Sequence, residues 1–314
     1  MASVNNSMPS GGPAASAAGR PVRRRKIKFP IAPYMLLIPW FIGLAVFRVY
    51  PIFRSFFLSL HHFPVLGTPR FIGFQNYINM FTVDSIFRDS AVATLKYVFI
   101  GTPMVLASAF FIAYVLNFKL KAVNLFRTAY YVPSILGGNV AVALLWLQMF
   151  RNDGLVNSAL AVIGVPPIVW LRSETFAPFV LIFLSAWQFG SVMLIFLAAL
   201  QNVSPTLYEA ASIDGARKHQ QLFRITLPII TPVLLFNAIN VMLRHFQEFN
   251  GAFLITQGGP NNATFFMNVY IYRRSFQQFD FGYGSALTWV LLAAIGILTI
   301  ILFISSRHWV HYSD

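Results

Sequence analysis

The sequence predicts an all-α, polytopic membrane protein with about six transmembrane helices, on three observations. First, 57% of the 314 residues are hydrophobic and only 10% are charged, with a mean hydropathy of +0.65. A soluble domain carries roughly 25% charged residues, so there are too few here to coat a water-facing surface. Second, six apolar stretches each reach the ~20 residues a helix needs to cross a ~30 Å hydrocarbon core. Third, the basic residues sort onto alternate connections, as the positive-inside rule requires.

Taken in chain order, residues 1–29 stand apart. Met1–Gly19 is small, polar and rich in Pro, Gly and Ser, a composition expected to be disordered. A basic cluster (Arg20, Arg23, Arg24, Arg25, Lys26, Lys28) then abuts the first apolar segment. That segment is too long for a secretory signal and lacks a clean small-residue cleavage site, so it reads as a retained span. Residues 30–314 form the transmembrane domain, with spans expected near 31–59, 92–116, 128–150, 177–201, 229–257 and 283–305. Pro39, Pro51, Pro103, Pro133 and Pro232 fall inside or at the edge of these spans, where neighbouring helices make prolines tolerable.

With the N-terminus inside, the cytoplasmic side collects the basic cluster, Lys119, Lys121, Arg127, Arg217, Lys218, Arg224 and Arg307. The outer connections hold Arg70, Arg88, Arg151, Arg172, Arg273 and Arg274, largely offset by Asp84, Asp89, Asp153, Glu174 and Asp280. Both termini are then cytoplasmic, and the net charge of +14 needs no nucleic acid to explain it. The chain has no cysteine, which excludes disulfides, thiolate metal sites and cysteine nucleophiles. His61 and His62 lack a nearby acid or third ligand and make a poor metal site.

The second cytoplasmic connection, about 202–228, breaks the apolar pattern with "YEAASIDGARKHQQLFRITLP". Ser204 followed by Pro205 reads as a helix start. Glu209 sits early, where the helix dipole favours an acid. Asp214-Gly215 ends the helix, with Gly215 able to take a left-handed conformation. A second short helix is expected over Ala216–Ile225. Small residues (Ala210, Ala211, Ala216) would expose backbone to a partner. From pattern alone, an amphipathic connector and a protein-docking surface both remain open.

Glu209-Ala210-Ala211, Asp214-Gly215-Ala216, Phe223, Ile225 and Leu227-Pro228 resemble the EAA loop of ABC-importer permeases, at the family spacing. "LITQGGPNNATFFMNVYIYRRSF" from Leu254, "YYVPSILGG" and "FIGFQNYINMF" resemble the carbohydrate branch of that family, in its first-subunit class. The long outer insertion of the maltose permease itself is absent. The resemblance implies the type I ABC-importer permease fold in a bacterial cytoplasmic membrane. It implies a heterodimer with a second permease subunit, a cytoplasmic ABC ATPase dimer and an extracytoplasmic solute-binding protein. No cofactor is expected in this chain: it has no G-x-x-x-x-G-K-[ST] phosphate loop, so ATP and Mg would sit on the ATPase. The implied function is uptake of a mono- or oligosaccharide. The alternative solute is glycerol 3-phosphate or another small polar molecule, for which Arg244 could be a phosphate ligand.

In this reading Glu209 offers a charged contact to the ATPase, Ala210 and Ala211 allow close approach, and Gly215 makes the seating turn beside Asp214 and Ala216. Leu207, Ile213, Leu222 and Phe223 bury an apolar side against the ATPase or the span ends. Moving a two-state pore from 1:99 to 99:1 takes about 5.5 kcal/mol of differential binding, which must arrive from the motor through a stiff element.

Polar residues inside spans are costly and usually face a cavity or another helix. Span five carries Asn237, Asn240, Arg244, His245, Gln247, Glu248 and Asn250. Arg244 and Glu248 are four apart, so on one helix they can pair. They are read either as a structural ion pair or, with His245, as hydroxyl-binding groups in the solute path. Span four adds Ser185, Trp187 and Gln188, and span three begins near Tyr130; aromatic faces and amides suit sugars, although Trp187 also suits packing. An intramembrane enzyme is disfavoured: no span shows an Asp pair or H-E-x-x-H, and no serine partner for His245 is evident.

Overall fold

The computed structural model of the chain describes residues 31–64, 67–118 and 122–311. The tail at 1–29, with its expected disorder and basic cluster, lies outside the described residues, as do Lys119 and Lys121. The chain divides into two compact units, Met1–Pro51 and Ile52–Asp314.

The described part of the first unit is helical, with α1 (Ile31–Leu44), a π-helical turn at Ala45–Val49 and the opening of α2 (Tyr50–Ser59). Leu36 and Phe47 are 82% and 80% exposed, an apolar surface suited to lipid or a partner rather than to water.

The second unit carries the remainder of α2 and nearly all the packing. A two-stranded antiparallel ribbon pairs β1 (His61–His62) with β2 (Arg70–Phe71), and His61 faces Phe71. Then come α3 (Gln75–Thr82), α4 (Ser85–Leu116), α5 (Val123–Leu136), α6 (Val140–Met149) and α7 (Leu155–Val162). They are followed by α8 (Phe176–Trp187), α9 (Gly190–Gln201), α10 (Pro205–Ile213), α11 (Lys218–Gln221) and α12 (Leu227–Phe246). The last elements are α13 (Met267–Tyr272) and α14 (Phe281–Ser306). π-helical turns occupy Leu222–Thr226, Ala252–Thr256 and Arg273–Gln277.

Among the described residues, four helices are long and apolar enough to cross a membrane: Met35–Ser59, Ser85–Leu116, Lys218–Phe246 and Phe281–Ser306. Counting each of two bent pairs as one span brings the number to six: α5 with α6, bent by 103°, and α8 with α9, bent by 48°. The all-α expectation and the span number therefore hold, but spans three and four are broken rather than straight. Span five is displaced as well. It was expected over 229–257, yet the helix begins at Lys218 and stops at Phe246. The separate short helix expected over Ala216–Ile225 is instead the foot of this span. No residue between Gln221 and Leu227 leaves helical geometry; Pro228 therefore lies inside a continuous helix, directly after the π-helical turn at Leu222–Thr226, a local adjustment of the kind that lets a span accept a proline.

Two apolar clusters hold the helices together. One joins α4, α8, α12, α13 and α14 through Tyr97, Leu181, Met242, Phe246, Phe266 and Leu287. The other joins α4, α9 and α12 through Ala109, Ala113, Met193, Phe196, Leu200 and Ile230. Ala109 and Ala113 are fully buried and four apart, so α4 presents a small-residue face that lets α9 approach closely.

Candidate functional site

The two breaks open on a cavity. Between α5 and α6 the chain reads Gly137-Gly138-Asn139, with Gly138 at φ +76°. The Asn139 side chain accepts a hydrogen bond from Ala141 N–H at 3.0 Å and so caps α6. Between α8 and α9 lie Gln188 and Phe189. The breaks meet each other. A Cβ on Gly137 would sit 2.9 Å from Gln188 Oε1, and one on Gly190 would sit 2.4 Å from Tyr130 O and 2.8 Å from Tyr131 Cα. The Gly138 carbonyl, left outside any helix, accepts from Asn250 Nδ2 at 3.0 Å. Non-helical backbone within an apolar span is tolerated where it lines such a cavity.

The cavity has a volume of about 390 Å³ and is lined by Ser134, Asn139, Ser185, Gln188, Arg244, Gln247, Glu248 and Asn250 among others. It brings together five of the seven residues expected along the solute path: Ser185, Gln188, Arg244, His245 and Glu248. Tyr130 and Trp187 do not line it. The Tyr130 ring lies 5.9 Å from that of Phe189, and Trp187 packs at 5.5 Å on Trp146. The proposed Arg244–Glu248 pair does not form. The helix ends at Phe246 with Gln247 as its cap, so the two side chains lose the shared face that a four-residue spacing assumes. Glu248 Oε1 instead accepts from Gly251 N–H at 2.7 Å.

His245 is a buried junction. Its Nδ1 lies 2.9 Å from Thr102 Oγ1 and its Nε2 lies 2.6 Å from Ser185 Oγ, tying α12 to α4 and α8. The Tyr97 ring stands edge-on at 4.9 Å, and a Cβ at Gly101 would come within 3.1 Å of the imidazole. A serine partner for His245 thus exists, contrary to the expectation from sequence, supplied across a separation of 60 residues. The other ring nitrogen meets a hydroxyl rather than a carboxylate, so the pair lacks the acid that orients a nucleophilic dyad. Sequence reasoning also missed Tyr97, Thr102, Ser134 and Asn139. Only Asn139 carried a signal, as the last residue of a Gly-Gly-Asn breaker inside an apolar stretch.

The expected coupling segment is α10 and its exit turn. Pro205 opens the helix, but Ser204 does not cap it: its hydroxyl bonds Thr206 Oγ1 at 2.8 Å instead. Leu207, Glu209, Ala210 and Asp214 are exposed, and Ala211 and Ala216 are half-buried. Ile213 is 87% and Phe223 64% exposed, while Leu222 is half-buried. Gly215 takes φ +76°, its N–H donates to Ser212 O at 3.1 Å, and Ala216 N–H donates to Ala211 O at 2.9 Å, which closes the helix end. Tyr208 OH bonds Thr226 Oγ1 at 2.9 Å, and Gln221 Nε2 donates to Ser212 Oγ at 3.0 Å. These bonds pin α10 to the foot of the fifth span.

Comparison with known proteins fits this arrangement. The family described as "Binding-protein-dependent transport system inner membrane component" matches residues 87–312. The chain belongs to this family. It is 41% identical over 287 residues to the probable ABC transporter permease protein YesP of Bacillus subtilis (strain 168), covering 90% of this chain and 93% of that one. It is 31% identical to the lactose transport system permease protein LacF of Rhizobium radiobacter, covering 89% and 95%. A chain of the bacterial alginate ABC transporter, crystallised with an alginate pentasaccharide-bound periplasmic protein, superposes with a TM-score of 0.76 at 21% identity, covering 88% and 94%; the two share a fold.

This inner membrane component has a second polar centre, which the sequence showed only as scattered loop charges. Asp84 caps α4 by accepting from Phe87 N–H at 3.0 Å, and it also accepts from the hydroxyls of Tyr270 and Tyr283. Arg274 Nη2 stands 3.9 Å away and Arg274 Nε donates to Tyr270 OH at 3.0 Å. Burial alone would raise the Asp84 carboxyl. The hydrogen bonds it accepts and the nearby Arg274 outweigh that and hold it below its ordinary value. The Tyr270 hydroxyl is pushed up to about 12 by burial and by Asp84.

Proposed function

We propose that this chain is the first of two permease subunits in a carbohydrate importer. The similarity to a permease named for lactose transport supports the solute class. In this reading the second permease completes the pore, an ABC ATPase dimer binds ATP and Mg and supplies the work, and an extracytoplasmic solute-binding protein delivers the sugar. Both termini and α10 face the cytoplasm, following the excess of basic residues on that side.

The observation that carries the proposal is the pinned α10. Its apolar residues Leu207 and Ile213 are left exposed by the described residues, while Tyr208 and Ser212 on the same helix hold it to the span that ends at the cavity. A docking element that must transmit force needs both properties. Glu209, Ala210 and Ala211 would meet the ATPase, with Asp214, Gly215 and Ala216 shaping the turn. The absence of cysteine makes the test clean, because Ile213→Cys is then the chain's one thiol. In the assembled complex it should crosslink to the ATPase, with a yield that changes on adding ATP. No crosslink in either nucleotide state, or solute uptake without the ATPase, would refute the assignment.

A further inference from the structure

Arg244 is a cation inside the cavity that no acid among the described residues answers. The ion pairs among the described residues are Arg151–Asp153 and Arg274–Asp84. Glu248, the one carboxylate lining the cavity, turns Oε1 to Gly251 N–H at 2.7 Å. His245, next in the chain, has both ring nitrogens engaged by Thr102 and Ser185. The Arg244 side chain is itself exposed to the cavity. The remaining polar wall is neutral: Asn139, Gln188, Gln247 and Asn250.

An arginine within a span is retained at a cost and usually has a partner of opposite sign. Its planar fork matches a carboxylate or phosphate through two parallel hydrogen bonds. Amides, by contrast, suit hydroxyls. The α6 N-terminus opens on the same cavity at Asn139, so its dipole acts in the same direction as the guanidinium.

We propose that the solute is an anionic saccharide, a sugar carrying a carboxylate or phosphate ester, whose acidic group binds Arg244 while Gln188, Gln247 and Asn250 bind its hydroxyls. The proposal rests on the carbohydrate-importer reading and narrows it. It also names the cavity's positive end: the oxyanion lies toward the last turn of α12 and the Gly137–Asn139 break.

The test uses the complete importer, with both permeases, ATPase and binding protein, reconstituted in vesicles. It is offered an equimolar mixture of digalacturonate, glucose 6-phosphate and lactose, and the accumulated solutes are measured by mass spectrometry. An acidic probe should exceed lactose by about tenfold or more, the worth of one charge-assisted hydrogen-bonded pair. Which acidic probe accumulates separates uronate from phosphate ester. Arg244→Gln should erase the preference, and Arg244→Lys should restore part of it, with complex assembly checked by co-purification. Equal or greater lactose uptake by the wild type would overturn the proposal. So would an Arg244→Gln variant that assembles and slows every probe alike, since Arg244 would then answer an acid of the partner permease. If ATP is hydrolysed and none of the three accumulates, the anionic-saccharide proposal fails; the carbohydrate reading fails only if a panel of neutral mono- and oligosaccharides is refused as well.

Discussion

Gly215 gives the sharpest test of the coupling segment, because its requirement is one of backbone conformation and not of space. A Cβ placed there meets nothing within 4 Å, so Gly215→Ala has no steric cost. What remains is the left-handed φ of +76°, which costs an L-residue about 1–2 kcal/mol. Against this stand the Tyr208–Thr226, Gln221–Ser212 and Ala216–Ala211 hydrogen bonds, each worth about 1 kcal/mol. Together they exceed the penalty, so the alanine variant should keep its turn and most of its transport. Proline locks φ near −65° and also deletes the Gly215 N–H bond to Ser212 O. Forcing that φ costs about 3 kcal/mol or more and the lost hydrogen bond about 1 kcal/mol, which together exceed the ~3 kcal/mol of the three pinning bonds. The assay is ATP-driven solute uptake by the reconstituted importer, with ATP hydrolysis and membrane insertion measured in parallel. Gly215→Pro should insert normally and lose uptake, with Gly215→Ala close to wild type. Wild-type uptake by the proline variant, or equal failure of both variants, would refute the argument.

The crossing of the two broken spans should be equally intolerant. Gly190→Ala would drive a methyl into the Tyr130 and Tyr131 backbone, costing about 1–3 kcal/mol, and should lower both thermal stability in detergent and uptake; an unchanged melting temperature counts against the crossing. His245→Leu removes the acceptor or donor from Thr102 and Ser185 at once and should destabilise by about 2–4 kcal/mol, whereas Ser185→Ala should lose about 1 kcal/mol, both read as shifts in thermal unfolding. Asp84 has a lowered folded pKa, so its stabilisation is present above the unfolded value of about 3.9 and fades as pH falls through the folded value. Asp84→Asn should flatten the acid limb of stability against pH. Tyr270 behaves in the opposite sense: its pKa is raised, so its contribution is complete below about 10 and is lost as pH climbs through about 12. Tyr270→Phe should remove that alkaline limb.

Span number, helix class and the start of α10 at Pro205 were legible because each depends on local signals: apolar length, and a proline at the first helical position. Gly215 was legible for the same reason. The bend between α5 and α6 was not read, although its Gly-Gly-Asn lay in plain view, because an apolar stretch of span length outweighed the breaker. Arg244 and Glu248 illustrate a second limit. Four-residue spacing implies pairing only if the helix continues, and the helix ends between them at Phe246. His245 shows a third: Thr102 and Ser185 lie 143 and 60 residues away, and no local pattern points to either. The Asp84 cluster is of the same kind, with tyrosines from 186 and 199 residues further along the chain.

Displacing span five toward the N-terminus changes how force can travel. With the span starting at 229, the coupling loop would be a separate body joined by a hinge. In the structure the helix runs without interruption from Lys218 to Phe246, 29 residues, or roughly 43 Å at 1.5 Å per residue. One end carries the bonds to α10, through Gln221 and Thr226; the other carries Arg244 and His245 at the cavity. In the proposed importer, a displacement imposed on α10 would be delivered along a single rod, and His245 would pass it to α4 and α8 through Thr102 and Ser185. The π-helical turn at Leu222–Thr226 is a softer point on this route, as are Pro228 and Pro232, and the Tyr208–Thr226 bond braces the turn. Thr226→Val, which keeps the shape and removes the hydroxyl, should leave ATP hydrolysis intact and lower the solute moved per ATP. An unchanged ratio would mean that the foot of the span transmits force without that brace.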